Sequence, residues 1–249
     1  MTRIGLISDI HGNLLALDAV LAELEQDDLD GLICLGDVAV GPQPREALAR
    51  VRGLGCPVVM GNWDAWFLER PPPPQDQIGM LLHEINAFWA DQLDDDDLAY
   101  MRSFVPQIEL PLGNGETALC FHGSPSSYDD FIFATTPDEE LRHMLGDART
   151  TLMIGGHAHL QLLRRFEQIL FVNPGSVGLP FSDWWPDRVR IAPRAEYGLL
   201  VHDEGRLRIE LRRTTFDVEA LLQLSLESGM PHARWWADSW TGISSTLYK

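Results

Sequence analysis

Short apolar runs alternate with segments of helical periodicity along the first part of the chain. The run at 3–7 is followed by apolar residues at helical spacing, namely Leu14, Leu17, Val20, Leu21 and Leu24. A second run at 31–36 precedes a helical segment at 45–51, and a third run at 57–61 leads into another helical pattern. This β-α-β-α-β order predicts a parallel sheet covered by helices.

The second half is richer in strand-like patterns. Between the halves, the proline run at 71–74 predicts a stiff surface connector, and 77–104 looks helical with an apolar face. Within that segment, the acidic run Asp94 to Asp97 predicts the start and cap of a helix. The predicted strands of the second half lie at 117–123, 151–156, 162–166, 169–173, 197–202 and 206–213.

The C-terminal part, 195–249, is predicted to contain a hairpin, a helix near 217–227 and a Trp-rich tail. The turn "DEG" at 203–205 favours the hairpin. We expect one domain over 1–249 that contains two sheets. The tail is expected to fold back on the core, and the alternative is a homo-oligomer formed through its tryptophans.

Composition and charge narrow the possible functions. The chain has 249 residues, of which 45% are hydrophobic and 22% charged, as in ordinary globular proteins. Its net charge of −18 disfavours binding to duplex nucleic acid. We expect no membrane association, because no apolar run reaches the length of a bilayer span. Three scattered cysteines, Cys34, Cys56 and Cys120, are typical of buried thiols in a reducing compartment, so we expect a cytoplasmic protein.

Five apolar runs end in polar side chains that can bind metal ions. These residues are Asp9, His11, Asp37, Asn62, His122, His157 and His159. Carboxyl ends of parallel strands line the ligand crevice of open α/β sheets, so we expect these side chains to converge. Each residue alone has an ordinary structural explanation, such as helix capping, and the spacing of His157 and His159 would send them to opposite faces of a strand. The complete set favours a metal site.

The number and type of these side chains predict two metal ions. Three oxygen ligands and four imidazoles are too many for one tetrahedral zinc ion. They suit a two-metal site with one bridging carboxylate. The set of seven side chains contains no cysteine thiolate. We therefore expect two divalent metal ions, most readily Mn²⁺, and the alternatives to Mn²⁺ are Fe, Ni²⁺, Co²⁺ and Zn²⁺.

The ordered motifs resemble the calcineurin-like metallophosphoesterase superfamily, and in particular its small prokaryotic phosphodiesterase branch. The resemblance covers roughly 3–175 and runs through D-x-H at 9–11, G-D at 36–37, G-N at 61–62, His122 and G-H-x-H at 156–159. It implies an α/β (α+β) fold, a four-layer α-β-β-α sandwich of two mixed sheets with flanking helices.

The resemblance also implies a division of roles within the ligand set. One metal would be held by Asp9, His11 and His159, and the other by Asn62, His122 and His157, with Asp37 bridging the two ions. A metal-bridging hydroxide would then attack phosphorus in line. Of these residues, Asp37, Asn62, His122 and His11 are expected to act in catalysis.

The motif "GNWD" departs from the family pattern. Many relatives have a histidine after the asparagine, and it is assigned to protonate the leaving group, but here that position is Trp63. An indole cannot act as a general acid, so we expect poor activity on monoesters of basic alcohols. Trp63 and Asp64 are expected to contact substrate, Trp63 by stacking on a base or aryl group; the alternative for Trp63 is a purely packing role. Asp64 or His11 could assist the leaving group. Phe181 stands where relatives often have arginine.

We expect a metal-dependent phosphodiesterase that acts on a small nucleotide-like or cyclic phosphodiester. The alternatives are a phosphomonoesterase, including a protein or dinucleotide-polyphosphate phosphatase, and a non-catalytic binding scaffold of the same fold. The Trp-rich tail keeps the scaffold hypothesis open. Arg188, Arg190 or Arg194 could take the place of the arginine missing at Phe181.

Overall fold

The computed structural model describes residues 1–113, 115–146, 150–185 and 188–240. Its strands in chain order are β1 (Thr2–Ile7), β2 (Gly31–Cys34), β3 (Ile108–Gly113), β4 (Glu116–Cys120), β5 (Leu152–Ile154), β6 (Leu162–Phe166), β7 (Ile169–Asn173), β8 (Phe181–Trp185), β9 (Arg188–Ile191), β10 (Ala195–Asp203) and β11 (Arg206–Thr214). Its α-helices are α1 (Leu14–Leu24), α2 (Pro44–Leu54), α3 (Asn62–Glu69), α4 (Gln77–Ala90), α5 (Asp95–Met101), α6 (Asp138–Leu145), α7 (Val218–Glu227) and α8 (Ala233–Ala237).

Two main sheets are both mixed. The first has the strand order β11-β10-β1-β2, in which β1 is parallel to β2 and antiparallel to β10. The second has the order β3-β4-β5-β7-β6, with β4, β5 and β7 parallel and both edge strands antiparallel. The parallel pairing predicted for the first apolar runs is confirmed for β1 and β2, and the C-terminal hairpin adds β10 antiparallel to β1 and β11 antiparallel to β10. The prediction of two mixed sheets is confirmed.

Three apolar cores separate four layers of structure. Alternation along β1 sends Ile4 and Leu6 into a core shared with residues of the second sheet, such as Ile154 and Val172. Ile7 instead belongs to the core under the helices of the first sheet. The predicted four-layer α-β-β-α arrangement is therefore present.

Helices cover the outer face of each sheet. Leu17 and Val20 of α1 and Leu48 of α2 pack in the core over the first sheet, together with Leu221 of α7. On the other side, α6 covers the second sheet through a separate core that includes Leu141. The apolar spacing that predicted α1 thus corresponds to its buried face.

The predicted helical segment 77–104 is two helices. α4 ends at Ala90, and α5 begins after Asp94, whose side chain accepts hydrogen bonds from the N–H groups of Asp96 and Asp97. The capping role predicted for the acidic run is confirmed, and this cap explains why the helix restarts there. The predicted strand at 57–61 is reduced to isolated bridges from Val58 and Val59.

The C-terminal segment folds back on the core. Trp236 and Trp240 are buried, and Trp240 forms a bridge with Ile191, whereas Trp235 is 44% exposed. Positions 241–249 of the predicted tail lie outside the described residues. Association of two copies through the tail stays a prediction.

The sequence also predicts buried cysteine thiols and no membrane-spanning segment. All three cysteines are free; Cys34 and Cys120 are buried, and Cys56 is half-buried. Within the described ranges, none of the helices has the length and apolar character needed to cross a membrane.

Candidate metal centre

The seven predicted ligands lie at the ends of elements that meet at one edge of the sandwich. Asp9 and His11 follow β1, Asp37 follows β2, Asn62 is the first residue of α3, His122 follows β4, and His157 and His159 follow β5. Six of the seven are buried, and Asn62 is half-buried. Residues far apart in sequence therefore share a single site.

Most of these residues have left-handed backbone conformations. The φ angles of Asp9, His11, Asp37, His157 and His159 are 53°, 51°, 53°, 65° and 54°. For residues other than glycine this region costs about 1 kcal/mol or more each. The left-handed residues turn the chain sharply after each strand, which is why the two histidines of the GHAH motif reach one site and do not alternate between faces.

Each of the two carboxylates is oriented through one oxygen and leaves the other free. Oδ2 of Asp9 accepts hydrogen bonds from the Ser8 hydroxyl at 2.5 Å and the His157 N–H at 3.1 Å. Oδ1 of Asp37 accepts from the Trp63 N–H at 2.9 Å. Oδ1 of Asp9 and Oδ2 of Asp37 are buried with no hydrogen-bond partner among the described residues. A buried, unpaired carboxylate oxygen is costly unless it binds a cation.

Main-chain carbonyls orient three of the imidazoles. Nδ1 of His122 lies 2.7 Å from the Leu35 carbonyl, and Nδ1 of His159 lies 2.7 Å from the carbonyl of Leu179. A carbonyl can only accept, so each Nδ1 carries the proton and each Nε2 keeps a lone pair for a metal ion.

The remaining GHAH histidine is oriented in the opposite sense. Nε2 of His157 lies 3.2 Å from the Asp129 carbonyl, which leaves Nδ1 of His157 as the ligand atom. The imidazole tautomers thus suit metal binding.

The ligand atoms form two groups that share Asp37. Asp9, His11, Asp37 and His159 make up one group, and Asp37, His122 and His157 the other, with all ligand atoms of a group within 4.8 Å of one another. Oδ2 of Asp37 lies 3.7 Å from Nε2 of His11 and 3.5 Å from Nε2 of His122. Oδ1 of Asn62 lies 3.1 Å from Nε2 of His122, so the Asn62 amide also belongs to the second group.

Burial keeps two of the imidazoles neutral. It lowers the pKa of His11 to about 4, assisted by the nearby His159. It also lowers the pKa of His157 to about 4, assisted by His122. Neutral imidazoles offer the lone pairs that a metal ion requires.

The carboxylates, in contrast, stay ionised. Burial alone would raise the pKa of Asp9, but the adjacent histidines, His159 first, lower it well below its ordinary value. The pKa of Asp37 is likewise lowered by His122 against the effect of burial. Burial would lower the pKa of His122, yet Asp37 and Asp9 raise it to about 9. The two carboxylates thus stabilise positive charge at His122, and a metal ion that binds Nε2 of His122 has to displace that proton.

Two glycines allow the close packing of the ligand loops. A Cβ at Gly61 would lie 2.2 Å from Oδ1 of Asp37, and one at Gly156 would lie 2.1 Å from the Ser8 hydroxyl oxygen. Neither contact is possible for a side chain. These glycines are needed because the backbone approaches the ligand residues directly.

Beside the ligand cluster lies a cavity of about 730 Å³. His11, Asn62, His157 and His159 line one end of it, and its remaining walls are mostly apolar. The metal ligands are therefore accessible from this cavity although they are themselves buried.

Comparison with models of known protein families identifies the family of this chain. A family model described as the calcineurin-like phosphoesterase superfamily domain matches residues 2–189. The chain belongs to this superfamily. Membership implies a metal-dependent phosphoester hydrolase, and the His/Asp cluster fits divalent metal ions.

Relatives of this calcineurin-like protein match nearly the whole chain. An uncharacterized protein of Methanocaldococcus jannaschii is 27% identical over 250 residues, covering 92% of this chain and 94% of that protein. A metallophosphoesterase structure from Sphaerobacter thermophilus has a TM-score of 0.73 at 24% identity, covering 93% of this chain and 96% of the other. A hypothetical protein from Pyrococcus horikoshii OT3 has a TM-score of 0.78 at 19% identity, covering 93% and 95%. The two structures support the fold.

The two residues predicted to contact substrate are placed differently. The Trp63 side chain lines the cavity next to Asn62. Asp64 is fully buried, and its carboxylate accepts hydrogen bonds from the N–H groups of Asp37, Val38 and Gly61. The expectation that Asp64 contacts substrate or assists the leaving group is therefore corrected: Asp64 positions the loop that carries Asp37.

Relatives often have an arginine at the position of Phe181, and three other arginines are candidate substitutes for it. Among the described residues, none of these arginines lines the cavity. Arg194 binds the Glu196 carboxylate at 2.7–2.8 Å, and Arg190 is absent from the described cavity lining. The Arg188 side chain lies outside the described residues. Phe181 itself stacks on the ligand His159, with ring centroids 4.4 Å apart.

Several contributors to the site have no signal in the sequence pattern. Ser8 orients Asp9, and Asp129 and Phe131 contact His157, the latter with ring centroids 4.0 Å apart. Asp129 and Phe131 belong to an irregular segment between β4 and α6, where periodicity gives no information. Ser8 could have been found only from its position directly before the first ligand.

Proposed function

We propose that the protein is a dinuclear metal-dependent phosphodiesterase acting on small phosphodiesters. The observation that carries the proposal is the unpaired Oδ2 of Asp37, which faces His11 of one ligand group and His122 of the other. A shared carboxylate between two groups of ligands is the arrangement of a two-metal site. One ion would be bound by Asp9, His11 and His159, the second by Asn62, His122 and His157, and both by Asp37.

Two bound cations supply positive charge that activates water and stabilises the negative charge of the transition state. The chain's own residues hold these ions in place and shape the space around them. Leu35, Leu179 and Asp129 fix the imidazole tautomers through their carbonyls. Burial of the ligands limits water at the site, which strengthens the electrostatic interactions there.

The preference for diesters rests on Trp63. Trp63 and Asn62 both line the cavity, and an indole cannot give a proton to a leaving alkoxide. A general acid typically contributes about 10²–10⁴-fold, so monoesters of basic alcohols should react slowly. Imidazole and oxygen ligands without thiolate favour Mn²⁺, with Fe, Ni²⁺, Co²⁺ and Zn²⁺ as alternatives.

The test compares initial rates on bis-p-nitrophenyl phosphate and p-nitrophenyl phosphate. Chelator-treated protein is reloaded with Mn²⁺, Ni²⁺, Zn²⁺ or Mg²⁺ before the assay. We expect a metal-dependent rate that favours the diester. A preference for the monoester would indicate a phosphomonoesterase, and no turnover with any metal would favour a binding scaffold.

Variants connect that activity to the site. His122→Ala and Asn62→Ala should each abolish metal-dependent turnover, because each removes a ligand of the second group. His143→Ala is the matched control, since His143 is exposed on α6 and is absent from both ligand groups. Full activity in either ligand variant would contradict the proposal.

A further inference from the structure

The walls of the cavity beside the ligand cluster are built from one face of α4. Ile85 and Trp89 line its interior and are 3% and 1% exposed, whereas Ile78 lines it near solvent and is 57% exposed. Leu82 lies between Ile78 and Ile85 along the helix and also lines the cavity. The apolar face of α4 therefore extends from the cavity interior to its mouth.

Aromatic rings complete the walls. Phe131 and Phe181 pack against ligand imidazoles, and Trp63 is at the same end. Trp235 and Trp236 of α8 contribute further aromatic surface. Aromatic and aliphatic surface of this extent favours an uncharged organic group, because burial of such a group is stabilised by the hydrophobic effect.

The charge of the described lining disfavours a second anionic group. No described residue that lines the cavity is a lysine or arginine, and its carboxylates outside the ligand set belong to Asp129 and Asp238. A polyphosphate chain or a second phosphate would meet apolar surface and negative charge there. The metal centre is the place in this cavity for a phosphate, so the described part of the lining favours an uncharged group for the rest of the ligand.

One polar group lies within the apolar wall. Asn86 is 4% exposed and lines the cavity, and its Nδ2 is buried without a hydrogen-bond partner among the described residues. An unpaired buried amide donor costs free energy that a ligand acceptor would recover. The position of Asn86 favours a ligand with an acceptor oxygen inside its apolar part.

We infer that the substrate is a phosphodiester with a bulky, uncharged apolar group that occupies this cavity and accepts a hydrogen bond from Asn86. The inference rests on the proposed phosphodiesterase function and specifies its substrate class. A cavity of about 730 Å³ is large enough for an alkyl chain or an aromatic ring system. The alternative, a nucleotide-like group, is an outcome of the test.

The first experiment uses p-nitrophenyl methyl, butyl and octyl phosphates with the Mn²⁺-loaded protein. The leaving group is the same in all three, so the chemical step is held constant while the apolar group grows. We expect kcat/KM to rise by about two- to fourfold for each added methylene, as burial of a CH₂ group predicts. Thymidine 5′-p-nitrophenyl phosphate serves as the nucleotide-like comparison.

The outcomes separate this inference from the proposed function. Turnover of all esters with no dependence on chain length would overturn the apolar-substrate inference and leave the phosphodiesterase intact. A higher kcat/KM for the thymidine ester than for the octyl ester would also overturn it. Absence of metal-dependent turnover with every diester would instead contradict the proposed function.

Variants on α4 locate the effect. Leu82→Asn and, at the exposed mouth, Ile78→Asn should each reduce the dependence of kcat/KM on chain length. Met80→Asn is the matched control, because Met80 is on the same helix, is 36% exposed and is absent from the cavity lining. If kcat/KM of Ile78→Asn and Leu82→Asn depends on the alkyl chain length as strongly as kcat/KM of the Met80→Asn control, the cavity does not hold the apolar group.

The role of Asn86 has its own test. An octyl chain offers no acceptor to the Asn86 amide, whereas a leucine at this position would contact the chain with apolar surface, so Asn86→Leu should raise kcat/KM for the octyl ester by about fivefold. The same substitution should change kcat/KM for the methyl ester much less, because a methyl group does not extend along the cavity. An equal effect on both esters would show that Asn86 does not face the apolar group.

Discussion

The carboxylate of Asp64 accepts a hydrogen bond of 2.7 Å from the main-chain N–H of Asp37. It also accepts bonds from the N–H groups of Val38 at 3.0 Å and Gly61 at 3.2 Å. One buried side chain therefore connects the loop after β2 to the start of α3. The loop carries Asp37, the predicted shared ligand, and the helix carries Asn62, so Asp64 fixes the distance between these two predicted ligands.

Replacement of Asp64 by asparagine should weaken metal binding. The new amide would direct an NH₂ group toward N–H donors that now bind a carboxylate, and the loop would move. We expect a loss of about 10- to 100-fold in metal affinity or activity, as for other groups that orient metal ligands. Titration of chelator-treated protein with Mn²⁺ measures the effect. Asp217→Asn, at the cap of α7, should bind Mn²⁺ like the parent, because asparagine caps a helix equally well.

A methyl group at Gly61 should disrupt the same region by direct contact. In Gly61→Ala the new Cβ would lie 2.2 Å from Oδ1 of Asp37, so the carboxylate must move. We expect loss of metal-dependent activity in a folded protein. In Gly53→Ala, within α2, the new Cβ meets none of the described atoms within 4 Å, so the variant should keep full activity and be more stable by about 0.4–1 kcal/mol. Full activity in Gly61→Ala would contradict the close packing of this loop.

Trp63→His should shift the enzyme toward monoesters. A histidine at this cavity position could protonate a leaving alkoxide, which indole cannot do. We expect the ratio of monoesterase to diesterase kcat/KM to rise in Trp63→His relative to Trp63→Phe. The phenylalanine variant removes the indole without adding an acid, so it separates the two effects. Equal ratios in both variants would mean that the missing acid does not set the preference.

Removal of metal ions should lower thermal stability. Oδ1 of Asp9 and Oδ2 of Asp37 are buried and accept no hydrogen bond from the described residues, so bound cations should stabilise the native state. A divalent ion at 100 times its Kd should contribute about 2.7 kcal/mol, which corresponds to a rise in Tm of roughly 5–10 °C for a chain of this size. Differential scanning fluorimetry with and without chelator measures it.

The stability effect should depend on the shared carboxylate. In Asp37→Asn the rise in Tm on metal addition should be much smaller than in the parent protein. Glu167→Gln is the control, because its exposed ion pair with Arg142 is unrelated to the ligand groups. An undiminished rise in Asp37→Asn would place the ions elsewhere.

The pattern of strands along the chain is enough to predict which polar residues lie together. Apolar runs specify strands, and each run that ends in an acid or an imidazole places that side chain at the same edge of the sheets, whatever the details of packing. For this reason Asp9, Asp37, His122 and the two histidines of the GHAH motif could be identified before any contact was known. The alternating runs likewise identified most strands and the helices over the first sheet.

The orientation of these residues depends on tertiary contacts that no local pattern encodes. The left-handed turns at His157 and His159 bring both imidazoles to one site, which strand periodicity could not predict. The position of Asp64 behind the site depends on hydrogen bonds to the main chain of a distant loop. The cavity is assembled from α4, the segment before α6 and the C-terminal tryptophans, which are far apart in sequence. Apolar spacing on a helix specifies that a face is covered, but it cannot distinguish a protein core from a substrate, because both exclude water in the same way.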